Sequence, residues 1–237
     1  MSVLDDGFDP AAVTSPRAAI ASENNKPIGI FDSGIGGLTV ARCIASLLPA
    51  ESIYYVGDTK RCPYGPRPQA EVRLFVRQVG RWLERHDVKL VVIACNTATA
   101  AGLDVIQRAL KVPVIGVIEP GARAAIQATR SRRVGVLATQ GTVDSGAYER
   151  AIHNLDAGVR VTQSAAGSFV DFVERELATG TYLHEDWMDS VGVFDTPEVR
   201  ELARRNVAPL LGRGIDTVVL GCTHFPLLAH EISSALG

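Results

Sequence analysis

The 237-residue chain contains no apolar run near the roughly 18 residues that a membrane span needs, so membrane insertion is excluded as a reading. Its first 26 residues have neither a basic start nor an apolar core. They carry Asp5, Asp6, Asp9 and Glu23 among scattered alanines, so they read as a flexible tail rather than a signal peptide. The net charge of −2 gives no electrostatic footprint for nucleic acid or for an anionic membrane. The chain has only four cysteines, Cys43, Cys62, Cys95 and Cys222. None is spaced as CxxC, and the only close Cys/His pair is Cys222 with His224, which argues against a zinc site. We expect a cytoplasmic protein with reduced thiols and no bound metal.

What the chain does have is β-branched strands that end in polar residues. Val91-Val92-Ile93-Ala94-Cys95-Asn96-Thr97 and Val218-Val219-Leu220-Gly221-Cys222-Thr223-His224 follow one plan. Each reads as a buried parallel strand that stops at a cysteine. The carboxyl edge of such strands is where α/β sheets bind ligands. Further strands are predicted at Ile28–Phe31, Ile53–Val56, Val114–Ile118, Val134–Ala138 and Val159–Thr162. Helices are predicted at Leu38–Leu48, Gln69–His86, Thr97–Leu110, Thr142–Ile152, Phe169–Leu177 and Pro197–Leu211, with one more opening at Glu119-Pro120-Gly121.

Val134-Gly135-Val136-Leu137-Ala138-Thr139-Gln140-Gly141 echoes Ile28-Gly29-Ile30-Phe31-Asp32-Ser33-Gly34, with Thr139 opposite Ser33. The β–α order therefore repeats, and the fold class is α/β: two pseudo-symmetric Rossmann-like lobes with parallel sheets and an active site in the cleft between them. Two loops look too specialised to be connectors. One is the glycine-rich turn Asp32–Gly37, whose helix-start amides can attract a carboxylate. The other is Gly57–Pro66, rich in polar groups, Gly and Pro. Residues 178 to 196 show no clear period.

A thiol has a reference pKa near ~8.5, so a modest push yields either protonation form. Both cysteines are expected before helix starts, which favour the thiolate. A thiolate on one side of a carbon can remove a proton while a thiol on the other side supplies one. That is inversion of a stereocentre without a cofactor. Asp32 and His224 lie at strand ends beside the thiols and can help move protons, although either can equally be a satisfied structural group. Ser33, Asn96, Thr97, Thr139, Thr142 and Thr223 are uncharged groups suited to holding carboxylates, and Asp32 can face an ammonium.

The motifs Gly29–Leu38, Gly57-Asp58-Thr59 with Pro63-Tyr64-Gly65, Ala94–Ala98 and Gly221–Leu228 together resemble the glutamate racemase family of the aspartate/glutamate racemase superfamily. The resemblance runs from about Pro27 to the end. It implies cofactor-independent interconversion of L- and D-glutamate, supplying D-glutamate for peptidoglycan and thus for cell wall and cell shape. It implies Cys95 acting on the D-enantiomer with Asp32 assisting, and Cys222 acting on the L-enantiomer with His224 and Glu174 assisting. Substrate would be held by Asp32, Ser33, Pro63, Tyr64, Gly65, Asn96, Thr97, Thr223 and His224, with Thr139 and Thr142 nearby. A homodimer is implied, and no nucleic-acid or membrane partner. The implied domains are 27–118 plus 229–237 for the first lobe and 119–228 for the second. The family pattern continues through another strand and helix beyond the second cysteine motif, whereas this sequence ends at Gly237, so the first lobe is expected to lack a strand. Residues 187 to 195 look like an insertion, a Cys-Pro pair common near 164–165 is replaced by Ser164-Ala165, and Cys62 is an extra thiol read as a small buried residue. The alternatives are a racemase of another acidic compound and a truncated, inactive glutamate-binding regulator.

Overall fold

The computed structural model describes residues 25–179 and 194–237. Residues 1–24 of the expected tail and 180–193 of the aperiodic segment, with Trp187 and Met188, therefore fall outside the described residues. Contacts divide the chain into two units that meet between Val117 and Ile118. Each unit holds one all-parallel sheet.

The first unit runs β1 (Ile28–Asp32), α1 (Leu38–Leu47), β2 (Ile53–Gly57), α2 (Gln69–Arg85), β3 (Leu90–Ile93), α3 (Asn96–Ala109) and β4 (Val114–Gly116). The sheet order is β2-β1-β3-β4. Both faces are covered, which is why the strands read as continuous apolar runs. Phe31, Val56, Val91 and Ile93 pack with Val72, Phe75, Val76, Val79 and Leu83 of α2 on one side. Ile30, Tyr55, Val92 and Ala94 pack with Leu38, Val40 and Ile44 on the other. Successive strand residues thus feed two separate cores, as the period of two dictates. Each fully buried large side chain there contributes about 1.5–3 kcal/mol.

The second unit runs α4 (Ile118–Ala128), β5 (Arg133–Ala138), α5 (Gln140–Ser145), α6 (Ala147–Leu155), β6 (Arg160–Ala165), α7 (Gly167–Ala178), α8 (Pro197–Val207), β7 (Thr217–Gly221) and α9 (Ala229–Leu236), with sheet order β6-β5-β7. Three local differences from the sequence reading have clear causes. The helix expected over Thr142–Ile152 is two helices, because the chain turns left-handed at Gly146 (φ 62°) and ends α5 there. The strand expected to end at Ile118 stops at Gly116, and Ile118 already belongs to α4. Residues 229–237, expected with the first lobe, form α9, which packs on α8 within the second unit. Among the described residues no helix is long and apolar enough to cross a membrane.

Candidate active site

In the first sheet the strand order reverses between β1 and β3, since the chain leaves β1 for β2 on one side and reaches β3 on the other. A crevice outside the carboxyl ends of the strands opens at such a point. The last ladder pair is Phe31 with Ile93, and Ala94 N–H still donates to Phe31 O at 2.8 Å. Two residues further on, Ser33 and Cys95 meet: the Cys95 thiol donates to Ser33 Oγ at 3.8 Å.

Cys95 is the N-cap of α3, with extended backbone, and its sulfur accepts the Ala98 N–H at 3.4 Å. A fourteen-residue helix therefore points its positive end at this sulfur, which favours the thiolate. Asn96 and Thr97 form the first turn and are buried. Thr99 anchors that turn: its hydroxyl donates to Ile93 O at 3.2 Å and accepts Val117 N–H at 3.4 Å.

Asp32 is fully buried, and its Oδ2 accepts N–H groups from Gly34 (3.2 Å) and Gly37 (2.9 Å). The glycine-rich turn thus wraps the carboxylate of Asp32. Gly37 has to be glycine, because a Cβ there would lie 2.5 Å from Asp32 Cβ and 2.8 Å from the Tyr55 hydroxyl. That hydroxyl donates to Gly34 O at 2.8 Å and so closes the turn. Of the second expected loop, Tyr64 is buried and donates its hydroxyl proton to Asp58 Oδ2. Tyr64, Phe75 and Cys95 share one apolar cluster. The Tyr64 phenol is held far above the ordinary range by burial first, then by the Asp58 carboxylate, with the charge of Cys95 adding to both. Pro63 follows a cis peptide bond. Cys62 is half-exposed rather than buried, and Cys43 is exposed on α1.

The second sheet repeats the device. Ala138 pairs with Gly221, so the next residues, Thr139 and Cys222, stand at neighbouring strand ends at the β5/β7 reversal. Thr139 caps α5, and its hydroxyl lies 3.0 Å from that of Thr142; both are buried. Thr223 and His224 are buried too. Cys222, expected just before a helix start, is not the N-cap of an α-helix as Cys95 is. It leads into a short 3-10 turn, Phe225–Leu228, and α9 begins only at Ala229. A side chain takes the helix's place: Cys222 Sγ lies 3.6 Å from His224 Nδ1, and His224 Nε2 lies 2.6 Å from Glu174 Oε1 on α7. The imidazole is buried and the carboxylate is one-third exposed, so the dyad links the thiol toward solvent. A carboxylate on one ring nitrogen fixes the tautomer and leaves the other nitrogen facing the sulfur.

Sequence reasoning missed two groups. Tyr148 of α6 is buried, and its ring edge lies 3.0 Å from where a Cβ on Gly221 would stand. Burial, and then the Cys222 charge, hold its phenol well above the ordinary range. Nothing in the α6 pattern distinguishes Tyr148 from a core aromatic. The other is the Asp58 carboxylate. Its place directly after Gly57 at the end of β2, beside Asp32, was the available signal.

A protein-family model described as Asp/Glu/Hydantoin racemase matches residues 28–237. A glutamate racemase of Lysinibacillus sphaericus is 47% identical over 213 residues, covering 90% of this chain and 74% of that protein. One from Shouchella clausii is 48% identical over 212 residues, covering 90% and 71%. Among solved structures, a Bacillus anthracis glutamate racemase aligns with a TM-score of 0.80 at 44% identity, over 91% of this chain and 75% of that one. The Francisella tularensis glutamate racemase in complex with D-glutamate aligns with a TM-score of 0.77 at 35% identity, over 90% and 74%. With each sheet carrying a cysteine at its reversal point and these likenesses spanning nine-tenths of the sequence, the chain belongs to the Asp/Glu/hydantoin racemase family and, within it, to the glutamate racemases.

Proposed function

We propose that this protein interconverts L- and D-glutamate without a cofactor, supplying D-glutamate for peptidoglycan in the cytoplasm, and that it works as a homodimer. Cys95 and Cys222 are the two acid/base groups. Starting from D-glutamate, the Cys95 thiolate takes the α-proton and leaves a carbanion delocalised into the α-carboxylate. The Cys222 thiol then delivers its proton to the opposite face, which forms L-glutamate. The cycle ends with a Cys95 thiol and a Cys222 thiolate, and the reverse reaction runs the same steps backwards. Positioned groups of this kind contribute about 10²–10⁴-fold each.

Asp32 assists Cys95, and its carboxylate, wrapped by the glycine amides, is also suited to the substrate ammonium. His224 assists Cys222: Nδ1 faces the sulfur, and Glu174 steadies the imidazolium when the proton sits there. Ser33, Asn96, Thr97, Thr139, Thr142 and Thr223 supply uncharged hydrogen-bonding groups for the carboxylates, and Pro63, Tyr64 and Gly65 form the loop side. The observation that carries the reading is the Cys222–His224–Glu174 chain, a proton path built onto a thiol that no structural role requires. The level of identity to glutamate racemases favours glutamate over aspartate or a hydantoin as substrate. The test is turnover of a panel of acidic amino acids by the purified chain. Glutamate is expected to racemise. Turnover of aspartate with none of glutamate would overturn the substrate, and glutamate binding without turnover would favour a regulatory protein.

A further inference from the structure

Asp58 is 1% exposed at the carboxyl end of β2, and its N–H donates to Asp32 O at 3.0 Å, so its backbone is tied to the end of β1. Its Oδ2 accepts the Tyr64 hydroxyl and lies 2.5 Å from Arg61 Nε. Its Oδ1 has no hydrogen-bond partner. A buried carboxylate with one oxygen left over needs a reason to be there. Arg61 is itself fixed: Nη1 donates to Gln78 Oε1 at 2.5 Å, and the guanidinium lies 4.3 Å above the Phe75 ring. Arg67 Nε donates to Arg61 O (2.9 Å) and Pro63 O (3.2 Å). The Tyr64 ring packs against Phe75, with centroids 5.4 Å apart. The loop from Asp58 to Arg67 is therefore closed around one buried carboxylate. A phenol has a single proton to donate, and that of Tyr64 goes to Asp58.

We infer that Asp58 is a positioning residue for the loop Pro63-Tyr64-Gly65, acting through the Tyr64 hydroxyl, and that Tyr64 serves substrate through its ring and backbone and not through its O–H. This rests on the proposal that this loop holds glutamate. Asn in place of Asp58 keeps the shape but removes the charge that draws the Tyr64 proton and Arg61 to one oxygen, and it puts a donor NH2 on the other side, so D58N weakens the link that Y64F removes.

The experiment measures kcat and KM in both directions for D58N, Y64F and the double variant, with thermal midpoints alongside. Each single change is expected to raise KM about 10-fold in both directions while kcat moves less than about threefold, and the double variant matches the worse single one. Multiplying losses would overturn the link. So would a Y64F loss with D58N unaffected, which would put the hydroxyl on the substrate, or a D58N loss with Y64F unaffected, which would leave Arg61 as the effector. If D58N does not fold, the hydroxyl proton of Tyr64 decides the matter by NMR, assigned by its absence in Y64F. The downfield signal is expected to persist at saturating glutamate, and its loss on binding would contradict the inference. A wild-type chain without glutamate turnover would sink the substrate reading itself, whereas these outcomes in an active chain judge Asp58 alone.

Discussion

The two cysteines sit at equivalent points of two sheets and are supported by different physics. Cys95 caps a fourteen-residue helix and accepts an N–H from its first turn. Cys222 lacks such a helix and faces an imidazole instead, backed by a carboxylate from a helix 50 positions earlier in the chain. A helix end is a fixed partial charge: it favours thiolate and cannot itself carry a proton. A His–Glu dyad can both hold charge and carry protons. The repeat therefore preserved the position of the sulfur, at a strand reversal, and left the means of controlling its proton free to differ. The neighbouring hydroxyls tell the same story. Ser33 accepts from Cys95, while Thr139 is engaged with Thr142 and the start of α5.

The largest expected effect is one the two units share. Cys95→Ser and Cys222→Ser are each expected to lower racemisation by at least about 10³-fold, since a hydroxyl is a far weaker acid than a thiol. Chiral chromatography of the product checks this, and either variant working near the wild-type rate would remove that sulfur from the chemistry. The next effect separates the units. His224→Asn is expected to cost about 10²-fold in kcat and to alter the pH profile, with Glu174→Gln following the same trend more weakly because Glu174 is partly exposed. A pH profile unchanged in H224N would make the two sulfurs equivalent and erase the contrast.

A smaller effect probes the scaffold of the first unit. Gly37→Ala drives a Cβ into Asp32 and the Tyr55 hydroxyl. About 1–3 kcal/mol of destabilisation is expected, with reduced activity, measurable by urea unfolding. An active, fully stable G37A would mean that the turn does not hold Asp32 tightly.

The smallest effect at neutral pH is an alkaline one, and it tests what the units share again. Tyr64 and Tyr148 both have phenols raised above the ordinary value, chiefly by burial. Above pH about 10 the unfolded chain loses these protons and the folded chain keeps them, so the folded state binds more protons there and stability falls as pH rises. Their contribution is complete below pH 10 and decays above it, by up to about 1.4 kcal/mol per pH unit for each phenol. Y64F and Y148F should each flatten that slope in denaturant titrations between pH 9 and 11.

Much of this was legible in the sequence because buried parallel strands announce themselves. Val91–Ile93 and Val218–Leu220 are β-branched runs that stop abruptly at a small residue and a cysteine, and the structure ends both strands there. Asp32 with the glycine turn was legible for a similar reason, since few other segments tolerate three glycines before a helix. The contrast between the cysteines was not legible. Each cysteine is followed by two polar residues, Asn96-Thr97 and Thr223-His224, and the difference lies beyond them, where Ala98 continues a helix and Phe225-Pro226 opens a 3-10 turn. The partnership of Glu174 with His224 spans two helical segments, so no spacing encodes it, and it entered only through family likeness. Asp58 and Tyr148 were hidden in the same way. The first reads as a loop carboxylate and the second as a core aromatic until folding ties Asp58 to Asp32 at the end of β1 and lays Tyr148 against Gly221 of the second cysteine strand. The break at Gly146 was missed because apolar periodicity continues across it.

The central claim is that two different sulfurs exchange protons with the α-carbon. Racemisation in D₂O, sampled early from each enantiomer by NMR and mass spectrometry, tests it most directly. The account predicts that newly formed enantiomer carries deuterium at Cα from the first turnovers while remaining substrate keeps its proton. Product that retains the substrate's own α-proton would contradict it, because one group would then be shuttling a single proton.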